Sequence, residues 1–160
     1  MSDLAWGSHL PILIKLMNVT NGDVLELGMG VNSTPFLHWA CYPNRKLVSY
    51  ENNKECFESF KNYAVGRHEV NFIEDWDKAK IEWPWNIVLV DHAPMSRRPI
   101  EVKRLVGIAD YIIVHDTQKN FKTCNFDELW PLFKYRYDYI AGGYPRTTVL
   151  SNFIDLEFLK

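Results

Sequence analysis

Acidic side chains stand at or near the ends of five short apolar runs in this sequence. They are Glu26, Glu51, Asp75, Asp91 and Asp116. If the runs are parallel strands of one sheet, their carboxyl ends share the edge at which such sheets bind ligands. Carboxylates gathered there repel one another unless a cation or hydrogen-bond donors lie among them. The pattern therefore indicates a site for a positively charged or donor-rich ligand. The alternative is that each acid only caps the helix that follows it.

Two glycines follow the first run, in the stretch VLELGMGVNST at 24–34. Gly28 and Gly30 allow a sharp turn and a close approach to a ligand. Ser33 stands where a dinucleotide-binding loop has its third glycine. A dinucleotide places its pyrophosphate at such a helix start, where a nearby carboxylate is unfavourable. S-adenosylmethionine (SAM) has an ammonium, a sulfonium and no phosphate, so Glu26 beside the loop favours SAM.

The elements that must position these residues alternate along the chain. The periodicity predicts strands over 23–28, 46–51, 69–75, 85–91 and 110–116, and helices over 8–18, 34–41, 54–64, 98–109 and 126–135. The last part, with RYDYIAGG and TTVLSNFI around a turn-rich stretch, predicts an antiparallel pair. Together they predict an α/β three-layer sandwich, with a mostly parallel, doubly wound sheet and a C-terminal antiparallel hairpin, in a single domain over 1–160.

Composition narrows the class of protein. With 47% hydrophobic residues the chain can bury a core, and a formal charge of -2 with mixed signs argues against a nucleic-acid partner. The three cysteines are too scattered for a disulfide framework, which predicts a reducing compartment. The N-terminal apolar stretch is too short to span a bilayer and lacks a basic leader. We therefore expect a cytoplasmic protein without a membrane partner.

The strand-end motifs resemble those of one family. VLELGMG, YENN at 50–53, IEDW at 73–76, VDHAP at 90–94 and DYIIVHD at 110–116 are similar to the Rossmann-like class I SAM-dependent methyltransferases. The similarity extends over roughly residues 20 to 155. One departure is VNS at 31–33 in place of the last glycine of the loop, which leaves the path of the loop open.

The resemblance implies a set of cofactor contacts around the ends of the strands. Glu51 would hold the ribose hydroxyls, Asp75 the adenine amino group, and Trp76 would cover the adenine ring. The residues implied to bind the cofactor are Glu26, Gly28, Gly30, Ser33, Glu51, Asn52, Asp75, Trp76 and Asp91. Because an N-terminal segment often lies across the cofactor in this class, Ser8 and His9 are expected to reach the site.

Methyl transfer to a hydroxyl needs a group that removes the acceptor's proton. His92 is the first candidate, because imidazole titrates near neutral pH, and Asp91 is the second. The alternative for His92 is a hydrogen-bonded structural histidine. Arg97 and Arg98, in the loop after the fourth strand, either bind an acidic group of the acceptor or form a solvated helix start.

A metal ion is a further implication of the resemblance. ADYIIVHDTQ at 109–118 is similar to small-molecule O-methyltransferases that hold a metal between strand-end acids. Here the ion would lie between Asp91 and Asp116, with His115 or His92 beside it, and oxygen-rich ligands suit Mg²⁺ or Mn²⁺. The alternative is that Asp116 caps the following segment and that His115 packs or bonds locally.

The predicted function is SAM-dependent methyl transfer to a small-molecule acceptor, at an oxygen or a nitrogen. No long insertion between strands could form a lid, so either the acceptor is small or another subunit of a homo-oligomer covers the pocket. Two alternatives stay open. The protein could methylate a macromolecule with a partner subunit, or it could bind the cofactor without transfer activity of its own.

Overall fold

The structure, a computed structural model, describes residues 6–118, 124–140, 142 and 145–160. Within these residues one sheet is formed by β1 (Val24–Leu27), β2 (Leu47–Glu51), β3 (His68–Phe72), β4 (Ile87–Val90), β5 (Tyr111–Val114), β6 (Tyr135–Tyr139) and β7 (Thr147–Ser151). The strand order is β3-β2-β1-β4-β5-β7-β6. Strands β1 to β5 are parallel, and β7 runs antiparallel to both β5 and β6. The predicted sheet with its C-terminal hairpin is confirmed.

Helices cover both faces of this sheet, as a three-layer sandwich requires. They are α1 (Leu10–Val19), α2 (Ser33–Cys41), α3 (Lys54–Phe60) and α4 (Arg98–Arg104). The alternating side chains of β4 separate the core into two clusters: Val88 and Val90 pack on the α4 side, Ile87 and Leu89 on the side of α1 and α2. This alternation follows from the two-residue period of a strand. Among the described residues, no helix is long and apolar enough to span a membrane.

Several predicted elements are shorter in the structure, and three of the differences have a clear local cause. Helix α4 ends at Arg104, and the chain then turns through Gly107, whose φ of 72° a glycine adopts without strain. The stretch 126–135 forms two short 3₁₀ turns, since Pro131 lacks the N–H that a longer helix would need. The third strand was predicted to reach residue 75, but β3 ends at Phe72. The last backbone hydrogen bond that joins it to β2 runs from Ile73 N to Glu51 O.

The parallel register brings several strand ends to one edge of the sheet. Leu27 pairs with Tyr50 on one side and Val90 on the other, and Val90 pairs with Val114. The residues that follow these positions therefore lie side by side. The sheet gathers the loop after β1, the acids after β4 and β5, and the start of α2 in one place.

Candidate functional site

A cavity of about 510 Å³ opens at this edge, within the range usual for small-molecule sites. One wall is the loop after β1 together with α3, and the opposite wall combines the ends of β4 and β5 with the segment before α1. The first wall contributes Met29, Gly30, Val31, Asn32, Ser33, Cys56 and Phe60; the second contributes Trp6, His9, Asp91, Met95, His115, Asp116 and Pro145. Gly30, Ser33, Asp91, His115 and Asp116 thus lie where the sequence predicted a site.

The two glycines of the loop after β1 have different structural roles. Gly28 has φ 91°, and a Cβ there would lie 2.6 Å from the backbone N and Cα of His92. Its bare backbone lets the loop after β1 pack directly on the loop after β4. A Cβ on Gly30 would meet only Ser33 Oγ, at 3.7 Å. Gly30 therefore leaves space beside the cavity, whereas Gly28 is needed for the fold.

These contacts predict opposite outcomes for two matched variants. Gly28→Ala is expected to lower the free energy of unfolding by at least about 2 kcal/mol, because backbone atoms must move and the positive φ is unfavourable for alanine. Gly30→Ala is expected to stay within about 1 kcal/mol of the wild type. Urea unfolding of both variants under the same conditions checks this. Equal losses of unfolding free energy in the two variants would show that the close backbone contact at Gly28 does not make this position more sensitive than Gly30.

Glu26, which was expected to contact the cofactor, is not among the residues that line the cavity. It is fully buried and accepts hydrogen bonds from Ser33 Oγ at 2.6 Å, Thr34 Oγ1 at 2.9 Å and Ser49 Oγ at 2.6 Å. Burial raises the pKa of its carboxyl to about 7, against the lowering effect of the three hydroxyls. Because two of the donors begin α2 and the third lies on β2, Glu26 fastens the helix start to the sheet.

The Glu51 carboxylate accepts hydrogen bonds from backbone N–H groups around it. Its Oε2 accepts from Met29 N at 2.8 Å, and its Oε1 accepts from Asn52 N and Asn53 N at 2.9 and 2.7 Å. The carboxylate therefore joins the end of β2 to the loop after β1. Asn52 Oδ1 beside it is buried without a hydrogen-bond partner. Neither side chain is part of the cavity wall, although both lie at the same edge.

Asp75 and Trp76 also lie outside the cavity. Asp75 is exposed and accepts from Asp77 N at the start of a 3₁₀ turn. The Trp76 side chain is 3% exposed, donates from Nε1 to Ala93 O at 2.9 Å, and packs on the His92 ring with 4.0 Å between centroids. The structure therefore places this indole in the core, bonded to the loop after β4.

The imidazole of His92 is also directed into the protein. It is 1% exposed, and its Nε2 lies 3.0 Å from Glu101 Oε2. Burial lowers its pKa, against the opposing effect of Glu101. Arg97 donates from Nη2 to Glu101 and Asp77, at 2.6 and 2.7 Å, and does not line the cavity. The geometry at Nε2 thus corresponds to the structural alternative for His92, while its Nδ1 is buried without a hydrogen-bond partner.

Arg98 joins the ends of β4 and β5. Its guanidinium lies 3.0 Å from Asp91 Oδ1 and 3.2 Å from Asp116 Oδ2. It also donates to the backbone oxygens of Asp91, His92 and His115. Asp116 has a φ of 59°, a conformation that aspartate tolerates better than most residues. The sequence left Arg98 open between acceptor binding and solvent. The structure buries it, 6% exposed, as an ion-pair partner of two cavity acids.

His115 completes the charge balance of this cluster. Its Nδ1 lies 3.1 Å from Asp91 Oδ1 and 3.4 Å from Asp116 Oδ2, and its Nε2 lies 2.8 Å from Ser8 Oγ. Burial alone would lower its pKa, but the hydrogen bonds to the two carboxylates outweigh burial and raise the pKa to about 9. At neutral pH two cations, Arg98 and the His115 imidazolium, therefore face two carboxylates.

This arrangement does not fit the metal ion that the resemblance implied between Asp91 and Asp116. Both carboxylates already contact Arg98 and His115, and their two negative charges are balanced. His9, Asp91 and His115 do offer ligand atoms within 4.8 Å of one another. A metal held there would have to displace the proton of His115 and share Asp91 with Arg98. The donor set is thus unfavourable for Mg²⁺ or Mn²⁺, which prefer uncommitted oxygen ligands.

Comparisons with known proteins bear on the fold. No protein-family model matches the sequence, and a comparison with curated proteins finds no match. Among solved structures, TomG from Streptomyces achromogenes is similar, an O-methyltransferase involved in tomaymycin synthesis and solved with SAM. It is 18% identical, with a TM-score of 0.66 over 94% of this chain and 81% of that chain.

Two further structures are similar at the same level. An O-methyltransferase from Bacillus cereus, solved in complex with SAH, is 14% identical, with a TM-score of 0.64 over 94% of this chain and 82% of that chain. The N-terminal domain of human METTL16 in complex with SAH is 11% identical, with a TM-score of 0.63 over 91% of this chain and 70% of that chain. The protein therefore has the fold of the class I SAM-dependent methyltransferases, which its strand-end motifs predicted.

Proposed function

We propose that the protein transfers a methyl group from SAM to a small-molecule acceptor, at an oxygen or a nitrogen atom. The observation that carries this proposal is the cavity, which lies between the glycine loop after β1 and the Asp91 end of β4. In such sheets a ligand binds beyond the carboxyl ends of the strands, beside the first loop. The solved structures of similar fold that contain SAM or SAH support the same choice of cofactor.

The residues present fit SAM better than a dinucleotide. Among the described residues that line the cavity there is no lysine or arginine, so a pyrophosphate would find no cation there that is not already paired. The open side of Gly30 and the Ser33 hydroxyl would face the methionine part of SAM, with Glu51 and Asn52 nearby for the nucleoside. When bound, SAM supplies a methyl group on a sulfonium, whose loss leaves a neutral thioether. The chain's own residues align the acceptor and exclude water.

The second wall of the cavity suits a small acceptor. Trp6, Met95 and Pro145 provide apolar surface, and the polar groups are confined to the cluster around Asp91. Because that cluster balances its own charges, it favours an acceptor without net charge over an anion or a cation. An uncharged molecule with an apolar body and one hydroxyl or amino group matches these walls.

Calorimetry tests the cofactor directly. We expect the wild type to bind SAM and SAH with a dissociation constant in the micromolar range and not to bind NAD or NADP. Gly30→Val is expected to weaken SAM binding at least about tenfold, because its side chain enters the cavity, while urea unfolding shows that the variant still folds. Absence of SAM binding by the folded wild type would contradict the proposal.

Transfer itself is tested with SAM labelled in the methyl group and a panel of uncharged phenols, alcohols and aromatic amines. Label is expected in the organic extract with at least one acceptor. The Gly30→Val variant, assayed at the same SAM concentration, provides the matched control. If SAM binds but no acceptor in the panel is labelled while a cell extract is labelled in protein or nucleic acid, the acceptor class proposed here is wrong.

A further inference from the structure

His9 is a buried histidine whose ring has no hydrogen-bond partner. It precedes α1, is 1% exposed and lines the cavity. Both ring nitrogens, Nδ1 and Nε2, are buried and unpartnered. Buried polar atoms in native proteins are nearly always hydrogen-bonded, and the exceptions call for an explanation such as a ligand or a catalytic role. The position of His9 on the cavity wall points to a bound molecule that supplies the missing partner.

The other titratable side chains of the cavity are already committed. Asp91 and Asp116 form ion pairs with Arg98 and His115, and Cys56 Sγ donates to Met29 O. The His115 ring contacts Ser8 through one nitrogen and the carboxylates through the other. Among the described side chains of the cavity wall, His9 is thus the titratable group with both of its polar atoms available.

We propose that His9 is the catalytic base, which takes the proton of an acceptor hydroxyl as the methyl group is transferred. This inference rests on the proposed function and adds to it a residue and an acceptor class. The acceptor oxygen forms a bond to the methyl carbon while the bond between that carbon and sulfur breaks, and its electron pair stays on the neutral thioether. The hydroxyl proton moves to a ring nitrogen of His9, and the resulting imidazolium later returns it to water.

The surroundings of His9 set the charge state of its ring. Burial lowers its pKa to about 4, so the ring is neutral at pH 7 and has a lone pair to offer. Asp91 Oδ2 lies 3.9 Å from Nδ1 and stabilises the imidazolium once it forms. The charged groups that face His9 are Asp91 and Asp116, which raise its pKa, and His115 and Arg98, which lower it.

His9→Gln tests the inference, since glutamine has a similar length and can accept a hydrogen bond but cannot take up the proton. With a phenol that is un-ionised at the assay pH, kcat is expected to fall at least about 100-fold. The KM for the phenol and the calorimetric affinity for SAM are expected to stay within about threefold of the wild type. Urea unfolding verifies that the variant is folded.

A second acceptor separates a base from a residue that only shapes the site. With 4-nitrophenol, measured at a pH where it is ionised, no proton has to be removed, and His9→Gln is expected to lose less than about fivefold in kcat. An equal loss with both phenols would overturn the proposal, as would unchanged kcat with the un-ionised phenol. Binding of Mn²⁺ or Zn²⁺ by the wild type and not by His9→Gln, measured by calorimetry, would also overturn it. Absence of SAM binding by the wild type would instead refute the proposed function.

Discussion

Replacing Arg98 by methionine is expected to lower the free energy of unfolding by about 3–5 kcal/mol, the usual result of removing one partner from a buried ion pair. The methionine fills the space of the arginine stem but leaves Asp91 and Asp116 facing each other with only His115 between them. The three backbone oxygens that Arg98 satisfies also lose their donor. Urea unfolding at pH 7, with the wild type beside it, measures the loss.

Two further variants show whether the loss comes from the carboxylates. Arg98→Lys keeps the positive charge but not the planar set of guanidinium donors. We expect its free energy of unfolding to lie between those of the wild type and Arg98→Met. Adding Asp116→Asn to Arg98→Met is expected to recover part of the stability, because one unbalanced charge disappears. Asp116→Asn alone completes the cycle. If Asp116→Asn lowers the free energy of unfolding equally in the wild type and in Arg98→Met, the two residues are not coupled.

Arg98→Met should also create the metal site that the wild type does not favour. With the guanidinium gone, the two strand-end carboxylates lack one of their counter-charges. Mn²⁺ is then expected to raise the melting temperature of Arg98→Met and to leave that of the wild type unchanged. Electron paramagnetic resonance of Mn²⁺ measures the bound fraction directly. If the wild type bound Mn²⁺ as tightly as the variant does, the Arg98 guanidinium would not be the group that disfavours a metal ion at this site.

Glu26→Gln is expected to change how stability depends on pH. The carboxyl pKa is raised from 4.5 to about 7 in the folded protein, mainly by burial, and a shift of this size corresponds to about 3 kcal/mol. Because the folded-state pKa is the higher one, this stabilisation is fully present below pH 4.5 and is lost as the pH rises through 7. Glutamine carries no proton equilibrium, so the variant lacks this contribution at every pH.

The difference in free energy of unfolding between the wild type and Glu26→Gln isolates the effect from all other groups. Between pH 4.5 and pH 8 we expect the wild type to lose about 3 kcal/mol of stability relative to Glu26→Gln. Glu26→Ala serves as the control for the hydrogen bonds, because it leaves the three hydroxyl donors without their acceptor and is expected to be destabilised at both pH values. A difference that does not vary with pH would mean that Glu26 ionises normally in the folded protein.

The position of the site could be predicted from the sequence, but the direction of its side chains could not. Alternating apolar runs that end in acids were sufficient to place Asp91, Asp116 and the glycine loop at one edge, because parallel strands share their carboxyl ends. Whether an acid at that edge faces a ligand or a neighbouring hydroxyl depends on residues far away in sequence. Ser49 on β2, which holds Glu26, has no spacing relation to it that a motif would reveal.

The roles of aromatic and basic residues after β4 were harder to predict for the same reason. His92 comes directly after Asp91 and Arg98 follows in the next loop, and either could have faced the cavity. Contacts with Trp76 and Glu101 turn His92 inward, and Asp116, which follows β5, pairs with Arg98 and turns it toward the cluster. His9 was expected to reach the site because of where it lies before the first strand. Its unsatisfied ring, which carries the inference above, is visible only in three dimensions.

His9 reaches the cavity from a segment outside the sheet, and the neighbouring Ser8 Oγ contacts His115 Nε2 and Pro145 O. An affinity tag fused at the amino terminus would attach only a few residues from these contacts, whereas one at the carboxyl terminus would follow the turn Glu157–Leu159, packed beside α1. If the proposed function holds, preparations tagged at opposite ends are expected to differ in turnover while their melting curves agree. For measurements of turnover, the carboxyl terminus is the safer point of attachment.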